Sequence, residues 1–209
     1  MKNLRQTFAD LMLEIGSHDE SLVVIVGDIS HGILQPFAKK FPDRYFNIGI
    51  CEPATVNIAA GVSKVGLNPV VHTIAPFLTE RAYEQIKLDF GYQDLPVNII
   101  SVGGSFDYAK LGCSHHCYTD VSLFAHLAKS QIFLPGSSDE FSEIFKATYA
   151  DDAINYYRLT ENPHDHLFAD PIVPGKGIKV IEGNNLTIVA LGSKLTEAKE
   201  ASLILKDQH

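Results

Sequence analysis

The residue that asks most of its surroundings is Glu52, in "RYFNIGICEPATVNIAAGVSKVG" (residues 44–66), between an apolar strand-like run and a stretch of small apolar residues at helical spacing. Burying an unpaired carboxylate costs several kcal/mol, on the order of a domain's whole stability margin, so Glu52 needs a partner or must hold a proton. It is therefore a paired structural acid or a working one. Pro53 suits the first helical position, which predicts Glu52 at the N-cap, near the carboxyl edge of a sheet. A capping carboxylate, stabilised by the exposed amides of the helix, accounts for the same pattern without any chemistry.

Two further clusters could do chemistry. "GCSHHCYTD" (112–120) places Cys113 and Cys117 around His115 and His116. Cysteines four apart with adjacent histidines do not have a standard zinc spacing, and no metal site is expected. A thiol there would need activation, and only the histidines are at hand. Neutral imidazoles on a loop after a strand suit hydrogen bonding to a polyol or carbonyl; a plain exposed turn accounts for them equally. "HTIAPFLTERAYEQI" (72–86) sets Phe77 at a strand's end, followed by Arg81 and Tyr83. An aromatic at that point can stack on a planar heterocycle, or it can simply fill core. The glycines of "VGDISHG" and "SVGGS" form no GxGxxG or GxxxxGK[ST] phosphate motif.

The elements that must position these groups follow from patterning. Runs rich in β-branched residues alternate with amphipathic stretches, the signature of βα units on a mostly parallel sheet. Helices are predicted over 4–18, 34–41, 53–65, 78–92 and 138–150, and strands over 22–28, 45–49, 69–77, 97–104, 131–135 and 154–160, with a long loop after residue 104. Residues 161–180 carry three prolines, two glycines and little periodicity and read as a linker. Beyond it, "NNLTIVALGS" and "LTEAKEASLILKDQH" predict one strand and one helix, too little to bury their own apolar faces.

A chain of 209 residues holds one full-sized core and a piece of something else. Its net charge of −8 offers no electrostatic footprint for nucleic acid or an anionic membrane. No stretch approaches ~20 consecutive apolar residues, and the first residues are amphipathic rather than signal-like, so a cytoplasmic protein is expected. Three cysteines, Cys51, Cys113 and Cys117, fit reduced thiols.

Taken together, "DRYFNIGICEPATVNIAAGVSKVGLNPVVHTIAPFLTERAYEQIKLDFGYQDLPVNIISVGG" resembles the pyrimidine-binding domain of the transketolase family of thiamine diphosphate enzymes, including the deoxyxylulose phosphate synthases. The resemblance runs from about residue 3 to 160, and "GKGIKVIEGNNLTIVALGS" resembles the opening of the family's C-terminal domain. It implies a thiamine diphosphate-binding, pyrimidine-type α/β fold with a six-stranded, mostly parallel sheet. The implied organisation is a transketolase-like domain over 1–160, a linker over 161–180 and a partial C-terminal domain over 181–209. "NIGICEPATVNIAAG" is the most specific stretch. The glutamate matching Glu52 hydrogen-bonds N1′ of the cofactor's aminopyrimidine, favouring the tautomer that removes the thiazolium C2 proton. By the same resemblance Phe77 stacks on the pyrimidine, Ile50 lies beside it and Asp28 is an acid near the thiazolium. Arg81 and Tyr83 also fall among the cofactor-binding positions, in a segment with one extra residue. His115 matches a substrate-contacting histidine in a "GPTH" loop, with His116 beside it.

The departures from the family carry information too. The acid before "GPTH" is Leu111 here and the proline is Cys113. Glu161 stands where an arginine meets the substrate's phosphate, and Gly103 and Gly32 fall where a histidine and a serine would. An acid there repels a phosphate, so a non-standard or non-phosphorylated sugar is expected, with Arg158 offsetting part of the charge. Nothing in the chain resembles the diphosphate-binding domain that holds Mg²⁺. The resemblance therefore implies a split transketolase, with a partner subunit supplying the metal site in an α₂β₂ assembly and a homodimer for this chain alone. Two other readings stay open: the β-type component of a 2-oxoacid dehydrogenase, and a non-catalytic partner-binding subunit.

Overall fold

The computed structural model describes residues 3–207. Six parallel strands form one sheet: β1 (Leu22–Val26), β2 (Tyr45–Asn47), β3 (Asn68–Ile74), β4 (Val97–Val102), β5 (Ser130–Phe133) and β6 (Ile154–Leu159), in the order β2-β1-β3-β4-β6-β5. The α/β architecture expected from the alternating pattern is the one found. Every residue of β1 and β4 is buried, as it must be in a parallel sheet covered on both faces.

On one face lie α1 (Leu4–Gly16), α2 (His31–Lys40) and α7 (Ser138–Thr148), which bury Phe8, Met12, Phe37, Phe141 and Phe145. On the other lie α3 (Glu52–Lys64), α4 (Ala75–Thr79), α5 (Tyr83–Gln85), a π-helical stretch over Ile86–Tyr92 and α6 (Asp120–Ala125), contributing Val56, Leu78, Ile86, Phe90 and Phe124. Each of these large side chains contributes about 1.5–3 kcal/mol by leaving water. After β1 the chain steps outward to β2 and then returns across to β3. The carboxyl ends of β1 and β3 therefore bracket the crevice at which open α/β sheets bind ligands.

Four local expectations are corrected. The α3 helix begins at Glu52 itself, with Cys51 as its cap, so Glu52 sits one position further inside than predicted. β3 ends at Ile74, and Phe77 lies within α4 rather than on the strand. The single helix expected over 78–92 is broken into three pieces. Arg81 N–H donates to the Pro76 carbonyl five residues back (3.1 Å), a wide turn that accommodates the segment's extra residue. Finally, the long loop after β4 contains α6.

The last fifth of the chain behaves differently. Residues 161–191 hold no helix or strand; a 3₁₀ turn at Gly192–Lys194 leads into α8 (Leu195–Asp207). The strand predicted in "NNLTIVALGS" is absent, and Leu186 and Val189 are 64% and 91% exposed. A strand needs a neighbour to receive its amides and carbonyls, and among the described residues this segment pairs with none.

Candidate active site

Glu52 enters the site because β2 ends in a tight reversal. Gly49 adopts φ +80°, a left-handed conformation natural to glycine, and Cys51 turns the chain into α3. The Glu52 side chain is 2% exposed. Its Oε2 accepts a hydrogen bond from Arg81 Nη1 at 3.0 Å, while Oε1 is buried with no partner. Of the two ways to keep this carboxyl in a dry place, the structure uses a partner. One oxygen is nevertheless left open, which is a standing cost in a folded protein.

Arg81 extends from the turn after α4 and lies over the Phe77 ring, 4.3 Å from its centroid. The same ring meets His115 at 5.0 Å in an edge-on geometry. Glu52, Arg81, Phe77 and His115, which come from three separate segments, thus form one continuous line of contacts. With one face of Phe77 under Arg81, a heterocycle stacking on that ring must take the opposite face or displace the guanidinium.

The other anticipated residues are placed less tightly. Ile50 is 73% exposed, two residues before Glu52. Asp28, exposed and at φ +54°, lies two residues beyond the end of β1, which stops at Val26 rather than at 28 as predicted, and its backbone N–H and carboxylate are both held by the Asn47 amide at 3.0 and 3.1 Å. Tyr83 is not part of the line, since its hydroxyl donates to the Leu123 carbonyl at 3.1 Å. His116 packs edge-on against Phe106 at 5.0 Å, and its Nε2 is buried without a partner. Of the two loop cysteines, Cys113 is exposed and Cys117 is not. Burial pushes the Cys117 thiol up to about 11, which leaves it a poor nucleophile.

Arg158 is not free to offset Glu161. Its Nη1 reaches both oxygens of Asp120 at 3.1 and 3.3 Å, and Asp120 also accepts from Tyr156 Oη at 2.6 Å. Glu161 instead accepts from Tyr108 Oη at 2.9 Å, and burial together with that acid pushes the Tyr108 hydroxyl up. The Tyr108 ring fills the space beside Gly103, where a Cβ would lie 2.3 Å from it.

Three polar groups had escaped notice: Asp120, Tyr108 and His72. His72 is fully buried, donating from Nδ1 to the Ile100 carbonyl (2.9 Å) and accepting from the Ser30 hydroxyl at Nε2 (2.8 Å). Burial keeps it neutral, with its pKa down to about 4. One signal was available in the sequence: an arginine inside the apolar strand "INYYRL" requires a buried anion, and Asp120 is that anion.

The model of the domain described as "Transketolase, pyrimidine binding domain" matches residues 1–162. The chain belongs to the transketolase family. Among curated relatives, an apulose-4-phosphate transketolase subunit of Actinobacillus succinogenes is 34% identical over 195 residues, covering 90% of this chain and 61% of that protein. The 1-deoxy-D-xylulose-5-phosphate synthase of Syntrophomonas wolfei is 32% identical over 205 residues, covering 96% of this chain and 32% of that protein. A solved split-gene transketolase, described as an inactive beta4 tetramer, superposes with a TM-score of 0.86 at 31% identity over 98% of this chain and 67% of its own. The transketolase-family chain thus spans between a third and two thirds of the length of these proteins.

Proposed function

We propose that this chain is the pyrimidine-binding subunit of a split, thiamine diphosphate-dependent transketolase-like enzyme that transfers a two-carbon ketol unit. The observation that carries the reading is Glu52 Oε1, an unpartnered carboxyl oxygen in a dry place at the N-terminus of α3, on the same line of contacts as Phe77 and His115. These residues fit the cofactor's aminopyrimidine. Oε1 would meet a ring nitrogen, Phe77 would offer an aromatic face, and Ile50 and Asp28 would border it. When bound, thiamine diphosphate supplies a nucleophilic carbon that stabilises the carbanion of the ketol unit in transit.

The chain's own contribution is local. Glu52 holds or accepts a proton at the ring nitrogen, and burial keeps water from competing for it. Arg81 fixes the carboxyl through Oε2, leaving Oε1 as the working atom. His115, on its loop over Phe77, presents an imidazole to a substrate hydroxyl or carbonyl, with His116 behind it. The Mg²⁺ and diphosphate site would come from a partner subunit, the cofactor lying across the interface of an α₂β₂ assembly, while this chain alone would form a homo-oligomer. The relative described as an inactive tetramer of beta chains supports that division. A cytoplasmic location fits as well, since no helix among the described residues is long and apolar enough to cross a membrane.

Glu161 and Asp107 bear on the substrate. The Asp107 carboxylate accepts from the Glu161 backbone N–H at 3.1 Å, so two acids stand together beyond β6 with Tyr108 over them. A phosphate at this end would meet negative charge, and a neutral or non-standard sugar is favoured. The test is titration of thiamine diphosphate and Mg²⁺ into the chain mixed with a diphosphate-binding subunit, followed by ketol transfer from phosphorylated and unphosphorylated ketoses. Cofactor binding with turnover of the unphosphorylated donor is expected; no binding by any such pair refutes the function, and a preference for sugar phosphates refutes the substrate class.

A further inference from the structure

We infer that the buried pair Asp120–Arg158 is a positioning device that holds the His115 loop against Phe77; the catalytic meaning of this rests on the function proposed above. The loop from Ser105 to Asp120 is tied down at its base, and its first part is tethered to Glu161 through Asp107 and Tyr108. Ser105 and Cys117 exchange backbone hydrogen bonds at 2.5 and 2.9 Å, closing the loop like the neck of a bag. Thr79 donates its hydroxyl to the Ala75 carbonyl at 2.9 Å, so the Cys117 thiol, 3.4 Å from the same oxygen, is the donor to it. Thr119 donates to Glu80 next door. The base is therefore stitched to α4, the helix that carries Phe77, and to the residue just after it.

What holds that base to the sheet is Asp120. It is completely buried, and its two oxygens receive Arg158 Nη1 and the Tyr156 hydroxyl, the latter also paired with Ser101 Oγ at 2.8 Å. Arg158 reaches Asp120 by crossing the end of β4 over Gly104, where a Cβ would lie 2.1 Å from its Cδ. Gly104 is thus the passage that lets a β6 side chain lock the loop after β4. Above the locked base, residues 112–116 are held by short-range turn hydrogen bonds, the packing of His116 on Phe106 and the contact of His115 with Phe77. A buried carboxylate with both oxygens hydrogen-bonded is held in place, and geometry near a reacting centre is worth about a hundredfold in rate per ångström.

The experiment uses the full chain in solution, with no cofactor. The His115 imidazole resonances, assigned by comparison with His115→Gln, should be displaced in the wild type by the neighbouring Phe77 ring. In Asp120→Asn, Arg158→Leu and Gly104→Ala they should move towards the values of an exposed histidine, while Arg158→Lys retains part of the displacement. Exchange of the Cys117 amide should rise at least about tenfold, with the amides of Val24 and Val71 unchanged. Gly104→Ala leaves both charges in place and serves if a charge variant does not fold. His115 resonances that stay displaced while the Cys117 amide opens overturn the inference, because Phe77 alone then holds the imidazole. Equal loss of protection at Val24 and Val71 also overturns it, because the pair is then only a general stabiliser. In the assembled enzyme the same variants should lose about 10–100-fold in kcat with cofactor affinity unchanged. A wild-type pair that binds no thiamine diphosphate refutes the proposed function, and the resonance data still decide the role of Asp120.

Discussion

Two buried carboxylates, each paired with one arginine, have opposite finishes in this molecule. Asp120 is saturated, with both oxygens occupied and Arg158 itself largely covered, its side chain 23% exposed. Glu52 is as dry, but only Oε2 is used, and its arginine is 47% exposed. A fully satisfied buried acid serves packing and orientation, whereas an acid left with an open buried oxygen carries an unrepaid desolvation cost. On the function proposed above, the difference separates a part that holds the structure from one that would meet a ligand.

The sharpest way to break this comparison is Glu52→Gln. Turnover of the assembled enzyme should fall about 10²–10⁴-fold in steady-state kinetics at saturating cofactor, since a proton-handling group is lost while shape is kept. Undiminished turnover would make Glu52 another structural acid. The stability measurement should run the other way. Asp120→Ala leaves Arg158 without its anion and should cost about 3–5 kcal/mol in urea unfolding. Glu52→Ala should cost only about 0–1 kcal/mol, because Arg81 regains water.

His72 calibrates the structural side. Its folded-state pKa, about 4, lies below the ordinary 6.5, so the unfolded chain binds the extra proton between these values. The stability owed to neutral His72 is complete above pH 6.5, declines as the pH falls and is gone below about 4. The shift corresponds to about 3 kcal/mol, and His72→Gln should flatten that part of the stability–pH curve by this amount. The smallest effect concerns thiols. At pH 8 a maleimide or iodoacetamide should label Cys51 and Cys113 in the native chain and spare Cys117, read by peptide mass spectrometry. Rapid native labelling of Cys117 would mean that the base of the histidine loop opens freely.

Patterning made most of the scaffold legible. Strands such as "LVVIV" and "VNIISV" are apolar at nearly every position and can only be buried parallel strands, and Glu52 stood out because a charge among small apolar residues must be accounted for. Legibility failed where a long-range partner decides the outcome. The helix over 78–92 broke at an extra residue that periodicity does not register. "NNLTIVALGS" has a strand's composition but pairs with no strand among the described residues, and Arg158, expected to balance Glu161, was claimed by Asp120, 38 residues away.

By itself, then, the sequence determined the parallel α/β layers, the residue types at the sheet's carboxyl edge and the need for either a partner or a proton at Glu52, because hydrophobic periodicity and the cost of burying charge act locally and residue by residue. Only the tertiary structure decided that the partner is Arg81, that one oxygen of Glu52 stays open, and that Phe77 carries His115 on one contact and Arg81 on another. Those choices depend on which side chains from distant segments arrive within about 3–5 Å of each other, a distance over which hydrogen bonds and ring contacts act and about which spacing along the chain says nothing.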